Sequence, residues 1–219
     1  MHLPVELPRI QRLDNTEFGR LYLTPEKNKY PSVTTVFSVI DNPGLDAWRK
    51  AVGAEEAKRI GARAAKRGTF VHSMTEAYLK GEEPRVTPID KMLYGSNWKR
   101  FKPLVDRIGD TYAIEGQLYS DTLMTAGTVD CVGMWEGKLS IIDFKTSTRK
   151  KRHEDIDSYW MQCAAYSRMW FERTGQKIED LVILMSVEDD DSLVFNDKVS
   201  NWLDKFVGVR VKYKRTFGV

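Results

Sequence analysis

Asp143 and Lys145 lie two residues apart in Ile141-Ile142-Asp143-Phe144-Lys145, an acid and an amine set in an otherwise apolar run. On an extended strand alternate side chains share a face, so the carboxylate and the amine point one way and Ile142 and Phe144 the other. The run Ala126–Trp135 precedes this strand, and Glu136-Gly137 between them reads as a two-residue hairpin turn. Such a turn sets Trp135 opposite Lys138, and therefore Asp130 opposite Asp143 and Thr128 opposite Lys145. Opposed Cβ atoms in a sheet stand ~4.5–5.5 Å apart, where like charges repel. A divalent cation between the two carboxylates removes the conflict. Hard oxygen ligands with at most one imidazole favour Mg²⁺ or Mn²⁺ over zinc. A lysine one strand-step from such an ion can orient or deprotonate water and offset the charge of a pentacovalent phosphate. The chemistry expected is hydrolysis of a phosphodiester. Taken alone, Asp-x-Lys is most often a surface ion pair on a strand, and a one-residue bulge at Gly137 would break the register.

Other residues have spacings that could serve the same chemistry. His72 and Glu76 are four apart, hence on one face of a helix, as are Gln162 and Tyr166. Each pair alone is ordinary for an amphipathic helix, and Glu115 alone is an ordinary strand glutamate. Two basic clusters could hold a phosphate backbone: Arg59, Arg63 and Arg67 at successive helical turns, and Arg149-Lys150-Lys151-Arg152 just beyond Lys145. Ser32, Thr34, Thr35, Thr146 and Ser147 could donate to phosphates, and Tyr30, Trp48, Tyr159 and Trp160 could stack on unpaired bases. Trp135, Trp170 and Trp202 read as core. The run Glu188-Asp189-Asp190-Asp191 reads as a turn between strands rather than a second metal site.

The elements that must position these groups follow from periodicity. Residues 1–30, with Pro4, Pro8 and Pro25, read as an extended arm. Pro31–Val36 leads into a short helix; helices follow over 46–80, interrupted near Gly68, and over 90–108. Strands are expected at 112–119, 126–135 and 139–145, a helix at 156–174, strands at 181–187 and 192–195, and a closing helix at 197–214. The fold class expected is α/β: a mixed central sheet, a three-stranded meander plus further strands, flanked by helices. One domain is expected over 1–219: an N-terminal arm and helical portion (1–110), a catalytic sheet and helix (111–195), and a C-terminal helix and tail (196–219).

The bulk composition narrows the setting. The chain has 219 residues, 42% hydrophobic and 30% charged, with a net charge of +3. No apolar run approaches the ~20 residues that span a bilayer. Cys131 and Cys163 are the only cysteines and form no CxxC, which excludes an iron–sulfur cluster of four thiolates or a thiolate zinc site. A secretion signal and a mitochondrial presequence are both missing at Met1-His2-Leu3-Pro4, so a cytoplasmic location is expected.

In order and spacing, Gly127-Thr128-Val129-Asp130, Ile142-Asp143-Phe144-Lys145-Thr146-Ser147 and Gln162-x-x-x-Tyr166 resemble the core motifs of the PD-(D/E)XK nuclease superfamily, in its RecB-like branch. Arg67-Gly68-Thr69-x-x-His72-x-x-x-Glu76 resembles that branch's helical histidine motif, and Glu115 its additional acidic residue. Pro31–Val36 and the Gly137-Lys138-Leu139 texture are similar to its mitochondrial genome maintenance and phage-encoded exonucleases. The resemblance covers about residues 30–190 and implies a restriction-endonuclease-like core. It implies that Asp130, Asp143 and the backbone carbonyl of Phe144 ligate one or two Mg²⁺ or Mn²⁺ ions, that Glu115 acts on the metal or its waters, and that His72 contacts the same or a second ion. Lys145 would serve the attacking water, with Gln162 and Tyr166 orienting Lys145 or the DNA. The partner implied is DNA, single-stranded or with free ends, in replication, recombination or repair. The lack of cluster cysteines departs from some members, and the lack of a presequence points to a bacterial or phage context. An endonuclease of restriction or junction-resolving type on the same fold, and a non-catalytic DNA-binding protein, are the alternatives.

Overall fold

The computed structural model describes residues 1–14 and 17–219. In chain order the elements are β1 (Gln11–Thr16), β2 (Gly19–Leu23), β3 (Lys29–Pro31), α1 (Val33–Val36), α2 (Pro43–Val52), α3 (Ala54–Lys80), α4 (Pro88–Val105), β4 (Ile108–Ser120), β5 (Thr125–Trp135), β6 (Lys138–Ser147), α5 (Asp157–Thr174), β7 (Asp180–Val187), β8 (Leu193–Lys198) and α6 (Leu203–Phe217). Strands β4 to β8 form a five-stranded sheet in sequence order, antiparallel except for the parallel pair β6–β7. A parallel pair needs a long crossover, and α5 supplies it.

Alternation along the strands builds two apolar layers. Ile141, Leu181, Ile183 and Met185 face α5 and α6, meeting Trp160, Trp170, Phe206 and Tyr213. Their neighbours Ile142, Phe144, Val182 and Leu184 face α3 and α4, meeting Phe70, Val71, Met74 and Phe101. Strand β7 is covered on both faces, which explains its unbroken apolar run. The hairpin between β5 and β6 is tight, with Glu136 at φ 47° and Gly137 at φ 79°. Trp135 pairs with Lys138 and the register runs unbroken to Cys131 opposite Ile142, as the two-residue turn requires.

The mixed α/β class expected from the sequence is therefore present, with helices flanking the five-stranded sheet and a second, three-stranded antiparallel sheet of β1, β2 and β3. That small sheet corrects the reading of residues 1–30 as an extended arm. Tyr22 from β2 packs with Ile10, Tyr119 and Ala126, joining it to the large sheet. The helical break also moves. It falls at Gly53, at φ 83°, whereas α3 runs through Gly68 without interruption. Gly68 faces β6, where a Cβ would meet Thr146 Oγ1 at 3.6 Å, an ordinary contact distance. No helix among the described residues is long and apolar enough to cross a membrane.

The run Glu188–Asp191 is the turn between β7 and β8, as expected, and it ties three segments together. Glu188 takes Arg63 and Arg67 of α3, each at 2.5 Å; Asp189 meets Arg100 of α4 at 3.4 Å; Asp190 meets Lys150 at 2.9 Å. Arg67 is 2% exposed, so removing its partner strands a buried cation. Glu188→Ala is expected to lower unfolding free energy by about 3 kcal/mol. The double variant Arg67→Met/Glu188→Ala should recover most of that, as read by urea denaturation.

Candidate functional site

Asp130 and Asp143 sit on adjacent strands one step beyond the last regular pair, Cys131 with Ile142. Asp130 Oδ2 accepts the backbone N–H of Phe144 at 2.8 Å, so a side chain holds the next rung of the ladder. On the other side of β5, Ile114 pairs with Cys131 and Gly116 with Val129, while Glu115 between them turns to φ 52°. A non-glycine residue at positive φ inside a strand costs of order 1–3 kcal/mol and persists only where its surroundings impose it. The consequence here is a carboxylate aimed at Asp130 and α3. Ligand atoms of His72, Glu115 and Asp130 lie within 4.8 Å of one another. His72 Nδ1 stands 3.6 Å from Asp130 and 3.8 Å from Glu115.

Asp143 is 1% exposed. Its Oδ2 is ion-paired with Lys145 Nζ, and its Oδ1 accepts from no donor among the described residues. A buried carboxylate oxygen without a donor is costly unless a cation meets it. The donor set, oxygen with one imidazole, suits Mg²⁺ or Mn²⁺. Lys145 also approaches Gln162 Oε1 at 3.5 Å, and Gln162 Nε2 donates to Tyr166 Oη at 3.4 Å, a chain that runs along α5. Tyr159, one helical turn before Gln162, puts its ring 5.0 Å from Lys145 Nζ. The sequence offered Tyr159 only as a base-stacking aromatic; its i, i+3 spacing from Gln162 was the available signal. Gly127 is required by this arrangement, since a Cβ there would stand 2.8 Å from Tyr166 Cε1.

Burial and neighbouring charge shift four of these groups, Asp143, Lys145, His72 and Tyr166. Burial pushes the Asp143 carboxyl up to about 6, with Lys145 pulling it down and Asp130 pushing it further up. Burial works against the Lys145 charge, yet Asp143 and Asp130 outweigh it and hold the amine above its ordinary value. For His72 burial again opposes the charge, and Asp130 and Glu115 overcome it, lifting the imidazole to about 9. Burial, with Asp130 and Asp143, pushes the Tyr166 hydroxyl well up, so it stays protonated.

The expected phosphate-binding residues divide. Thr146, Ser147, Arg149 and Lys151 line a groove of 790 Å³ together with Trp48 and Tyr159, immediately beyond Lys145. Arg67 lines it too, but its Nη1 is committed to Glu188. Arg59 is paired with Glu56 at 2.7 Å, Lys150 with Asp190, and Arg152 with Glu154 and Asp155. Ser32 is buried as the cap of α1, accepting Thr35 N–H at 3.0 Å, and Thr35 Oγ1 donates to the Arg20 carbonyl at 3.1 Å. Thr34 is exposed, with its hydroxyl 3.0 Å from that of Ser32. A bridge from Ser32 to Ala126 nevertheless brings Pro31–Val36 beside Gly127. Glu76 pairs with Lys80 at 2.7 Å, outside the cluster. Trp160 is fully buried and offers no face to a base; Trp135, Trp170 and Trp202 are core, as expected.

No family model matches the chain. The human mitochondrial genome maintenance exonuclease 1 is 25% identical over 134 residues, which cover 58% of this chain and 39% of that protein. The chain thus spans about two-fifths of that relative's length. A solved structure from Eubacterium rectale described as an exonuclease aligns at a TM-score of 0.43 and 16% identity, over 68% of this chain and 65% of that one. The sequence match relates part of this chain, at low identity, to a nuclease.

Two outcomes follow from the geometry. Gly127→Ala should displace Tyr166 and cost about 1–3 kcal/mol in unfolding free energy, with altered tyrosine fluorescence. The raised pKa of His72 stabilises the metal-free fold below its ordinary value of 6.5, and that contribution is lost as pH rises through about 9. In chelator, wild type should lose on the order of 2 kcal/mol relative to His72→Gln across that window, by urea denaturation.

Proposed function

We propose that this chain is a metal-dependent deoxyribonuclease of the RecB-like branch of the PD-(D/E)XK superfamily, acting as an exonuclease on single-stranded DNA or free ends. The observation that carries the reading is the buried, donor-free Oδ1 of Asp143 next to Asp130 and a lysine, with Glu115 and His72 converging on Asp130 from β4 and α3. The match to a human exonuclease supports the same reading. The setting proposed is the cytoplasm of a bacterium or phage-infected cell, in DNA replication, recombination or repair.

In this reading Asp130, Asp143, the Phe144 carbonyl, Glu115 and His72 hold one or two Mg²⁺ or Mn²⁺ ions. The ion supplies Lewis-acid polarisation of the phosphate and a more acidic water. Lys145, kept protonated by Asp143 and Asp130, donates to a phosphate oxygen or to the attacking water and offsets the developing negative charge. Gln162 fixes the direction of the amine, and Tyr166 fixes Gln162. Trp48 and Tyr159 offer ring faces in the groove, and unpaired bases present faces that paired bases hide. Exonuclease action rests on the resemblance to exonucleases and on α2 and α3 walling the groove.

End-labelled linear and circular DNA, single- and double-stranded, incubated with Mg²⁺, Mn²⁺ or chelator, tests the reading. Linear single strands should be degraded only with metal, and Lys145→Ala should cut turnover by about 100-fold or more. Circular single strands cut as fast as linear ones would replace the exonuclease by an endonuclease. Lys145→Ala cleaving at the wild-type rate in Mn²⁺ would overturn the site assignment.

A further inference from the structure

Beyond Lys145 the chain runs through Thr146 and Ser147 into the connection 148–156 that leads to α5. This connection carries Arg149 and Lys151 into the groove lining, and its only regular structure is a single 3₁₀ turn, His153–Asp155. Two long cationic side chains on so short a segment grip a phosphate well only if their backbone is already fixed, since ordering them on binding costs affinity.

His153 provides a fixing point. Its ring stacks on buried Trp160 of α5 at 5.0 Å between centroids and 30° between planes, and lies 6.3 Å from the ring of Trp202. Its Nε2 stands 2.9 Å from Asp197 Oδ2. That carboxylate is itself held, accepting from Trp202 Nε1 at 2.7 Å, Asn201 Nδ2 at 2.6 Å and the Lys198 backbone N–H at 2.7 Å. Trp160 is the neighbour in sequence of Tyr159, which packs beside Lys145. One imidazole therefore joins the cation-bearing connection to the helix that sets Lys145 and to the end of β8. The connection ends on Ile156, buried in the core beside Trp160. Ahead of it His153 is half-exposed, and the other bonds are local or at the surface: Ser147 Oγ donates to the Arg149 carbonyl at 2.6 Å, and Lys150 meets Asp190 at 2.9 Å.

We infer that His153 is a positioning residue for the substrate strand: by clamping the connection to Trp160 and Asp197 it holds Arg149 and Lys151 where phosphates beyond the reacting one meet them. The inference rests on the nuclease reading above. His153 itself touches no substrate, and its loss acts through the two cations.

Binding of a fluorescein-labelled single-stranded DNA of roughly 20 nucleotides, followed by anisotropy in chelator, and Mn²⁺-dependent kcat and KM test it with His153→Ala, His153→Phe and Arg149→Ala/Lys151→Ala. His153→Ala should weaken binding about 5- to 10-fold and raise KM in step, with kcat within about twofold of wild type. His153→Phe, which keeps the stack and loses the contact to Asp197, should fall between the two. Added to Arg149→Ala/Lys151→Ala, His153→Ala should weaken binding by less than about twofold more, because its target is gone. Should His153→Ala melt below the assay temperature, His153→Phe and Asp197→Asn carry the same comparison. Fully additive losses, unchanged affinity, or a fall in kcat at constant KM would each overturn the inference. Wild type that neither binds nor cleaves DNA would overturn the nuclease reading and this inference with it; intact wild-type binding with unaffected His153 variants would overturn this inference alone.

Discussion

Asp143 is closed off from solvent on a strand whose neighbour carries a second buried carboxylate, Asp130, and among the described residues the Lys145 amine is its one ion-pair partner. Taking a carboxylate out of water costs several kcal/mol unless opposite charge and donors replace the lost hydration. Lys145 answers one oxygen, and the other has no donor among the described residues. A sheet stabilised only by its apolar layers would not retain that arrangement. Much of the surrounding structure reads as the scaffolding that makes it tolerable.

That scaffolding consists of small departures from regularity. The β5–β6 ladder stops at Cys131, and the Asp130 side chain takes the Phe144 N–H that another backbone carbonyl would have accepted. Positive φ at Glu115 turns a carboxylate inward, and the missing Cβ at Gly127 admits the Tyr166 ring. The crossover helix required by a parallel β6–β7 pair then lays Tyr159, Gln162 and Tyr166 along one flank, while α3 brings His72 to the other side. Fold and site are thus coupled: the element that makes the parallel pair possible is also the one that holds Lys145.

The central hairpin was legible because its determinants are local. Glu136-Gly137 fixes the turn, and the turn fixes the register as far as Cys131 opposite Ile142. The extrapolated rungs Asp130–Asp143 and Thr128–Lys145 are not part of that ladder, and a bond from the Phe144 N–H to the Asp130 side chain stands there instead. The two-layer core followed from alternation in Ile141–Lys145 and from the apolar run of β7. What escaped depended on distant partners. The sheet β1–β3 has weak alternation and is completed by packing Tyr22 on Tyr119 and Ala126. Gly68 looked like a helix break, but tertiary contact with β6 outweighs its low propensity, and Gly53 breaks the helix instead. Arg67 looked like part of a basic stripe, because nothing local foretells that Glu188, 121 residues on, takes its guanidinium. Trp160 next to Tyr159 gave no sign which of the two faces the core.

Whether Asp130 and Asp143 form the floor of a cation site is read by calorimetric titration of the chelator-stripped protein with Mn²⁺. Saturable binding with proton release at pH 8 is expected, weakened about tenfold or more by Asp143→Asn or Asp130→Asn while far-ultraviolet dichroism stays unchanged. Mn²⁺ binding of equal affinity and stoichiometry in both asparagine variants, or no saturable binding in wild type, would contradict it.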